Sequence, residues 1–173
     1  MPIHQQTGYA LMPGQLDDAD RRYLQRAIQI SRRALEDGGT MPFGALVVID
    51  GQIAGESANR VAELHDPTAH AEVMALRAAG EALGTHLFET GVLYSSSEPC
   101  PMCLTACYWA RLPRVIFGAT SRDVDKCGIE DLQFYRELAR PRDQRSLRED
   151  PAGEDLRQEA AGGLRAWADR EHG

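Results

Sequence analysis

A pair of cysteines two residues apart, Cys100-Pro101-Met102-Cys103, follows a His70-Ala71-Glu72 run by thirty positions. These two segments constrain the fold more than anything else in the chain, because together they read as one metal site and so must meet in space. Residues i and i+3 share a helix face, which lets both thiols reach the same ion. Pro99 before the pair and Leu104–Ala110 after it suit a helix that starts here. Thiolates at a helix N-terminus lie at the favourable end of the backbone dipole, which lowers thiol pKa and favours metal binding. With His70 as third ligand the set is Cys2His. That leaves a tetrahedral zinc one position short, and catalytic zinc sites keep such a vacancy for water. Glu72, two residues from the imidazole, is then placed to handle the proton of that water. A purely structural zinc would need a fourth protein ligand, with Cys107 or Cys127 as the spare thiols, and would leave Glu72 without a role.

At 173 residues the chain fits one domain with a full hydrophobic core. No apolar run approaches the roughly 20 residues of a membrane helix. The N-terminus, Met1-Pro2-Ile3-His4-Gln5-Gln6, lacks the basic-then-apolar pattern of a signal peptide. Four cysteines, two of them in metal-type spacing, indicate a reducing cytoplasm rather than a disulfide scaffold. The net charge of −7 argues against a broad basic surface, so neither a nucleic-acid partner nor a membrane is expected.

Along the chain, residues 1–16 carry no periodic pattern and read as an irregular arm. Asp17 and Asp18 offer N-cap chemistry for a helix to about Glu36, which Gly38-Gly39 ends. Phe43–Ile49 is a nearly continuous apolar strand, as in the middle of a covered sheet. Asp50-Gly51 is a hairpin turn that returns through Gln52–Glu56. A loop from about Asn59 to Pro67 leads to a helix from Ala69 to Leu83, stopped by Gly84. Val92–Ser96 reads as a third strand and Arg114–Gly118 as a fourth, with the Cys100 helix between them. Beyond Asp123–Lys126 a short amphipathic helix covers Leu132–Leu138. From Pro141 onward Pro, Gly and charged residues dominate, until a last helical segment from about Asp155 to Arg170, weakened by Gly162-Gly163. We therefore expect an α/β layered domain over 1–145 and a C-terminal tail over 146–173. Both metal-binding turns fall at strand-to-helix transitions, where open α/β sheets place ligands.

The pairing of H-x-E with P-C-x-x-C is the signature of zinc deaminases. Asp66–Glu72, Glu98–Cys103 and Pro42-Phe43-Gly44-Ala45 together resemble the cytidine deaminase-like superfamily, and the resemblance spans about residues 20–138. It implies a three-layer α/β/α fold around a mixed five-stranded sheet, assembled into homodimers or larger oligomers. It also implies a Zn2+ ion on His70, Cys100 and Cys103, with Glu72 passing a water proton to a ring nitrogen and to the leaving amine. Zinc brings the pKa of bound water to about 7, and acid–base help of Glu72's kind contributes roughly 10²–10⁴-fold. Helix N-terminal amides near Glu72 and Cys100 are candidate donors to the tetrahedral intermediate, and Ala71, between His70 and Glu72, is counted with the substrate-binding residues.

Two branches of the superfamily compete. The Asp66–Arg77 stretch and Arg114–Ala119 look equally like tRNA adenosine deaminases. Pro101, Tyr108–Arg111 and Gly128-Ile129-Glu130-Asp131 look more like bacterial guanine deaminases. On that resemblance Asn59 hydrogen-bonds the purine, Trp109 lies against it, Asp131 accepts from its N–H groups, and Glu130 and Phe43 complete the pocket. Ile129 stands where that branch has Phe, and Glu130 where it has Asp. Leu164–Trp167 resembles its tail, which is either a swapped or closing segment with Trp167 or His172 as its lid, or a loose surface helix. The reading is thus a zinc-dependent aminohydrolase of a free base, most simply guanine. The alternatives are a tRNA adenosine deaminase, a deaminase of another amino-heterocycle (nucleoside, triazine, pterin or cytosine), or a non-catalytic zinc-stabilised binding module.

Overall fold

The apolar run after Phe43 forms strand β1 (Gly44–Ile49), and both of its faces are covered. The computed structural model describes residues 16–36 and 41–172. The irregular arm over 1–15 and the Gly38-Gly39 helix stop lie outside them. On one face of the sheet Ala45 and Val47 pack with Ala71, Ala75, Ala79, Phe88 and Cys107. On the other, Leu46 and Val48 pack with Ala27, Ile30, Tyr94 and Ile116. A strand buried on both sides has no use for alternation, which is why this one reads as continuously apolar. Burying Leu46 completely contributes about 2 kcal/mol.

The chain runs α1 (Asp18–Glu36), β1, β2 (Gln52–Ala58), α2 (Val61–Leu64), α3 (Ala71–Leu83), β3 (Val92–Ser97), α4 (Pro101–Trp109), β4 (Arg114–Ala119), α5 (Ser121–Lys126) and α6 (Asp131–Ala139). It ends, after a 3-10 turn at Arg142–Gln144, in α7 (Glu154–His172). The sheet order is β2-β1-β3-β4, with β1 antiparallel to both neighbours and β3 parallel to β4. Helices cover both faces, as expected. The expected fifth strand is not there: among the described residues the sheet has four. After β4 the Thr120 hydroxyl accepts from the Asp123 amide while the Asp123 carboxylate accepts from the Thr120 amide, and this capping box turns the chain into α5 at once.

The strand directions decide where the site falls. Because β1 is antiparallel to β3, the start of β1, the end of β2 and the end of β3 meet at one edge, with Gly44 opposite Ala58 and Ala45 opposite Ser95. Two glycines let helices close on this sheet. A Cβ at Gly44 would lie 2.5 Å from the Ala27 carbonyl of α1, and one at Gly55 would lie 2.4 Å from the Ala75 carbonyl of α3. The alanine stripe Ala71, Ala75, Ala79, spaced by four, gives α3 the matching flat face.

The N-cap role read for Asp17 is met, its carboxylate accepting from the Asp20 amide at 2.7 Å. Asp20 is itself buried and takes three hydrogen bonds: Tyr94 Oη at 2.7 Å, Arg114 Nη1 at 3.1 Å and Arg114 Nη2 at 2.7 Å. Burial alone would push its carboxyl up, but the Tyr94 and Arg114 donors and the guanidinium charge outweigh it and hold it below the ordinary carboxylate value. A carboxyl depressed in the folded state stabilises the fold above its unfolded pKa, and loses that contribution as pH falls through the folded value. Asp20→Asn is expected to cost about 2–3 kcal/mol at pH 7. It should also flatten the fall in stability on acidification below about pH 4; urea unfolding across pH measures both.

The chain forms two compact units, one ending at Tyr135 and one running from Arg136, so the division falls within α6, earlier than the change of composition at Pro141. In the second unit α7 continues through Gly162 and Gly163 as a 19-residue helix carrying Trp167. The His172 side chain lies outside the described residues.

Candidate functional site

His70 and Cys100 occupy equivalent positions, each the N-cap of the helix that follows, with extended backbone at φ −65°, ψ 154° and φ −64°, ψ 168°. Each carbonyl accepts the first helical hydrogen bond, from Met74 and Leu104, both at 2.9 Å. Pro101 at the first helical position has no N–H to leave unsatisfied. The turn before His70 is tied down from both sides. Asp66 Oδ1 accepts from the Thr68 amide and hydroxyl, Arg77 of α3 reaches Asp66 and Thr68, and the Arg60 amide donates to the Ala69 carbonyl at 2.9 Å.

This framework brings His70 Nδ1 to 3.7 Å from Cys100 Sγ, and the two sulfurs to 3.6 Å from each other. The donor atoms of His70, Cys100 and Cys103 all lie within 4.8 Å of one another. Neither Cys107, buried with its thiol pushed up to about 12 by desolvation, nor the exposed Cys127 joins them. The electrostatics of the group fit a cation. The hydrogen bond between the two sulfurs, with the help of His70, pulls the Cys100 thiol down. The same hydrogen bond, with burial, pushes Cys103 up. Ionising the second sulfur beside the first therefore needs a positive charge between them, and an imidazole beside two sulfurs is a zinc donor set.

Glu72, only 4% exposed, hydrogen-bonds through Oε1 to Ser95 Oγ at 3.0 Å. Desolvation raises its carboxyl above the ordinary value, and the Ser95 hydroxyl opposes that in part. Beside these groups lies a cavity of about 270 Å³. Its lining comes from three parts of the chain: Met41, Phe43 and Asn59 at the start of β1 and the end of β2; His70, Glu72, Ser97 and Cys100 around the donor cluster; and Gly128, Ile129, Glu130, Asp131 and Phe134 from the segment that enters α6.

The region 17–119 matches the family model described as the cytidine and deoxycytidylate deaminase zinc-binding region. The chain belongs to this family. It is 42% identical over 125 residues to the guanine deaminase of Bacillus subtilis (strain 168), a match that covers 72% of this chain and 80% of that one. The X-ray structure of guanine deaminase from Bacillus subtilis superposes with a TM-score of 0.81 at 36% identity, over 89% of this chain and 95% of that one. The tRNA-specific adenosine deaminase of Agrobacterium fabrum is 39% identical over 101 residues, covering 58% of this chain and 66% of that one.

Within this deaminase fold the candidates are gathered unevenly. His70, Glu72, Cys100, Asn59, Phe43, Glu130 and Asp131 line the one cavity. Cys103 is fully buried in α4, and Ala71 is fully buried in the α3 core face. Asn59 is fixed by its backbone, which donates to the Phe43 carbonyl at 3.1 Å, while its Oδ1 accepts from the Val61 amide at 3.2 Å. Trp109 is not in the cavity. It is 74% exposed and lines a separate groove with Leu76, Leu87 and Phe88. Helical rise explains the difference, since nine residues carry Trp109 about 13 Å along α4 from Cys100. Ser95, Ser97, Met41 and Phe134 were not among the sequence candidates. The two serines left a signal, since β3 passes from apolar Val92-Leu93-Tyr94 to a run of three hydroxyls, Ser95-Ser96-Ser97, of which Ser95 meets Glu72 and Ser97 lines the cavity.

Proposed function

We propose that this chain is a zinc-dependent aminohydrolase that replaces the amino group of a free purine base, guanine, by oxygen and releases ammonia. The observation that carries the base is Asp131. Asp131 is 9% exposed, lines the cavity with Glu72, and has no side-chain hydrogen bond or ion pair among the described residues. Partial desolvation raises its carboxyl above the ordinary value, and ligand N–H groups in the cavity would give it the donors the protein does not. Guanine presents adjacent ring N–H and amino donors that suit such an acceptor, and Asn59, which also lines the cavity, offers both donor and acceptor. The small cavity and the Glu130–Asp131 wall are unfavourable for a polyanion, which weighs against an RNA loop.

His70, Cys100 and Cys103 would hold the zinc, and the ion when bound acidifies water to a pKa of about 7. Glu72 would take one proton from the attacking water and pass it to the ring nitrogen as the C–O bond forms, then take the second from the new C–O–H and pass it to the amino group, so that the C–N bond breaks and ammonia leaves. Ser95 keeps Glu72 Oε1 oriented through this exchange. Phe43 gives the ring an aromatic neighbour, and Glu130 narrows the outer wall. The two metal-spaced thiols support a reducing, cytoplasmic setting, and exposed Tyr108 and Trp109 support a homodimer. Among the described residues no helix is long and apolar enough to cross a membrane.

The test is ammonia release by the zinc-loaded protein on guanine, adenine, cytosine, guanosine, a pterin and an aminotriazine, beside inosine formation in tRNA. Guanine is expected to be turned over with a kcat/KM at least about 10⁴ M⁻¹s⁻¹. Preference for another heterocycle, inosine in tRNA, or silence throughout would overturn the assignment of guanine.

A further inference from the structure

We propose that Tyr135 is a positioning residue: its hydroxyl fixes the 128–134 wall of the cavity to the turn that carries Cys100, and thereby sets where Asp131 holds a substrate relative to Glu72. The inference rests on the aminohydrolase reading above and adds to it a residue outside the cavity.

The wall is built from a segment with little else to hold it. Residues 128–134 contribute Gly128, Ile129, Glu130, Asp131 and Phe134 to the cavity. Neither hydrophobic cluster of the core contains any of them. Phe134 is exposed over nearly half its surface. The backbone hydrogen bonds of the segment are local, from Gln133 and Phe134 to the Glu130 carbonyl and from Ile129 to the Val124 carbonyl. Against this stands one long-range tie. Tyr135 Oη donates to the Pro99 carbonyl at 2.7 Å, across 36 residues of sequence. Among the described residues no other side-chain hydrogen bond or ion pair leaves the 128–135 segment.

The two ends of this bond are both informative. Pro99 is the residue before Cys100, so its carbonyl belongs to the turn that sets the Cys100 sulfur beside His70. Tyr135 lies one helical turn after Asp131, and residues four apart share a helix face. One hydroxyl thus couples the acceptor that anchors a base to the turn that anchors the metal. Burial pushes the Tyr135 hydroxyl up to about 12, so it remains a donor throughout the neutral range. A displacement of substrate by about 1 Å is enough to cost a large factor in rate or affinity.

The experiment compares Tyr135→Phe with the unaltered chain, both zinc-loaded, by amide hydrogen exchange and by guanine kinetics. Exchange over residues 128–134 is expected to rise about fivefold, as one lost hydrogen bond allows, while α3 and β1 keep their protection. KM for guanine is expected to rise about fivefold with kcat changed less than about twofold and zinc content unchanged. In an Asp131→Asn background the same Tyr135→Phe change is expected to move KM less than about twofold, because the two residues act as a unit. Unchanged exchange over 128–134, an unchanged KM, an equal KM effect in both backgrounds, or loss of zinc would each overturn the proposal. If the unaltered chain releases no ammonia from guanine, the assignment of substrate fails, and the exchange measurement alone still decides whether Tyr135 secures the wall.

Discussion

Replacing Glu72 with alanine leaves the fold and about one zinc per chain in place while turnover falls by about 10²–10⁴-fold. The carboxylate is not among the three clustered donor atoms, so removing it does not open the metal site. It is buried and held by Ser95, so no other carboxylate on the same helix can take over at that point. A loss of 10³-fold corresponds to about 4 kcal/mol of transition-state stabilisation, as expected for removing the one relay between water, ring and leaving amine. Metal analysis and steady-state ammonia release on the same preparation check the result. Normal turnover, or zinc lost along with activity, would assign Glu72 a different role.

Cys103→Ala is expected to give the opposite pattern. The Cys103 sulfur lies 3.6 Å from Cys100 Sγ in a fully buried position, so no solvent-derived ligand can replace it without opening the core. Zinc content should fall below about 0.1 per chain on dialysis, because a two-ligand site cannot compete with buffer for the ion. Activity goes with it. The melting temperature should also fall by more than about 5 °C, since an ion that binds only the folded state stabilises that state by mass action. Thermal unfolding with and without added zinc separates this from a packing defect: zinc raises the melting temperature of the parent chain and leaves the variant unchanged. Retention of zinc in Cys103→Ala would remove it from the ligand set.

The chemistry of this chain was more legible than its geometry. Within each pair, His70 with Glu72 and Cys100 with Cys103, the spacing follows from what one helix turn can present, and it is the metal chemistry the two pairs share that requires them to meet. The four strands were legible from their short apolar runs, and the fifth came only from the family resemblance; among the described residues the chain after β4 is helix and turn. What local pattern does not carry is strand direction. Nothing in residues 44–58 says that β1 runs against β3, and that inversion is what sets Phe43 and Asn59 beside Ser97 and Cys100. Trp109 is a different case, since motif membership set it against the substrate while in this chain helical rise carries it to the far end of α4, beside Leu76 and Leu87. Met41 lies in a segment without a distinguishing period, and Phe134 in an amphipathic helix whose period does not say which face meets the cavity, so only the folded chain reveals them.

The inversion of β1 has a consequence for how the molecule tolerates change. Every strand has one terminus at the reactive edge, so the opposite rim, with the Asp50-Gly51 turn and the entries to β3 and β4, carries none of the cavity-lining groups. Loop insertions, fused modules or labels grafted at Asp50-Gly51 would ride on the protein as passengers. Lineages could diversify that rim freely while the reactive edge stayed under tight constraint.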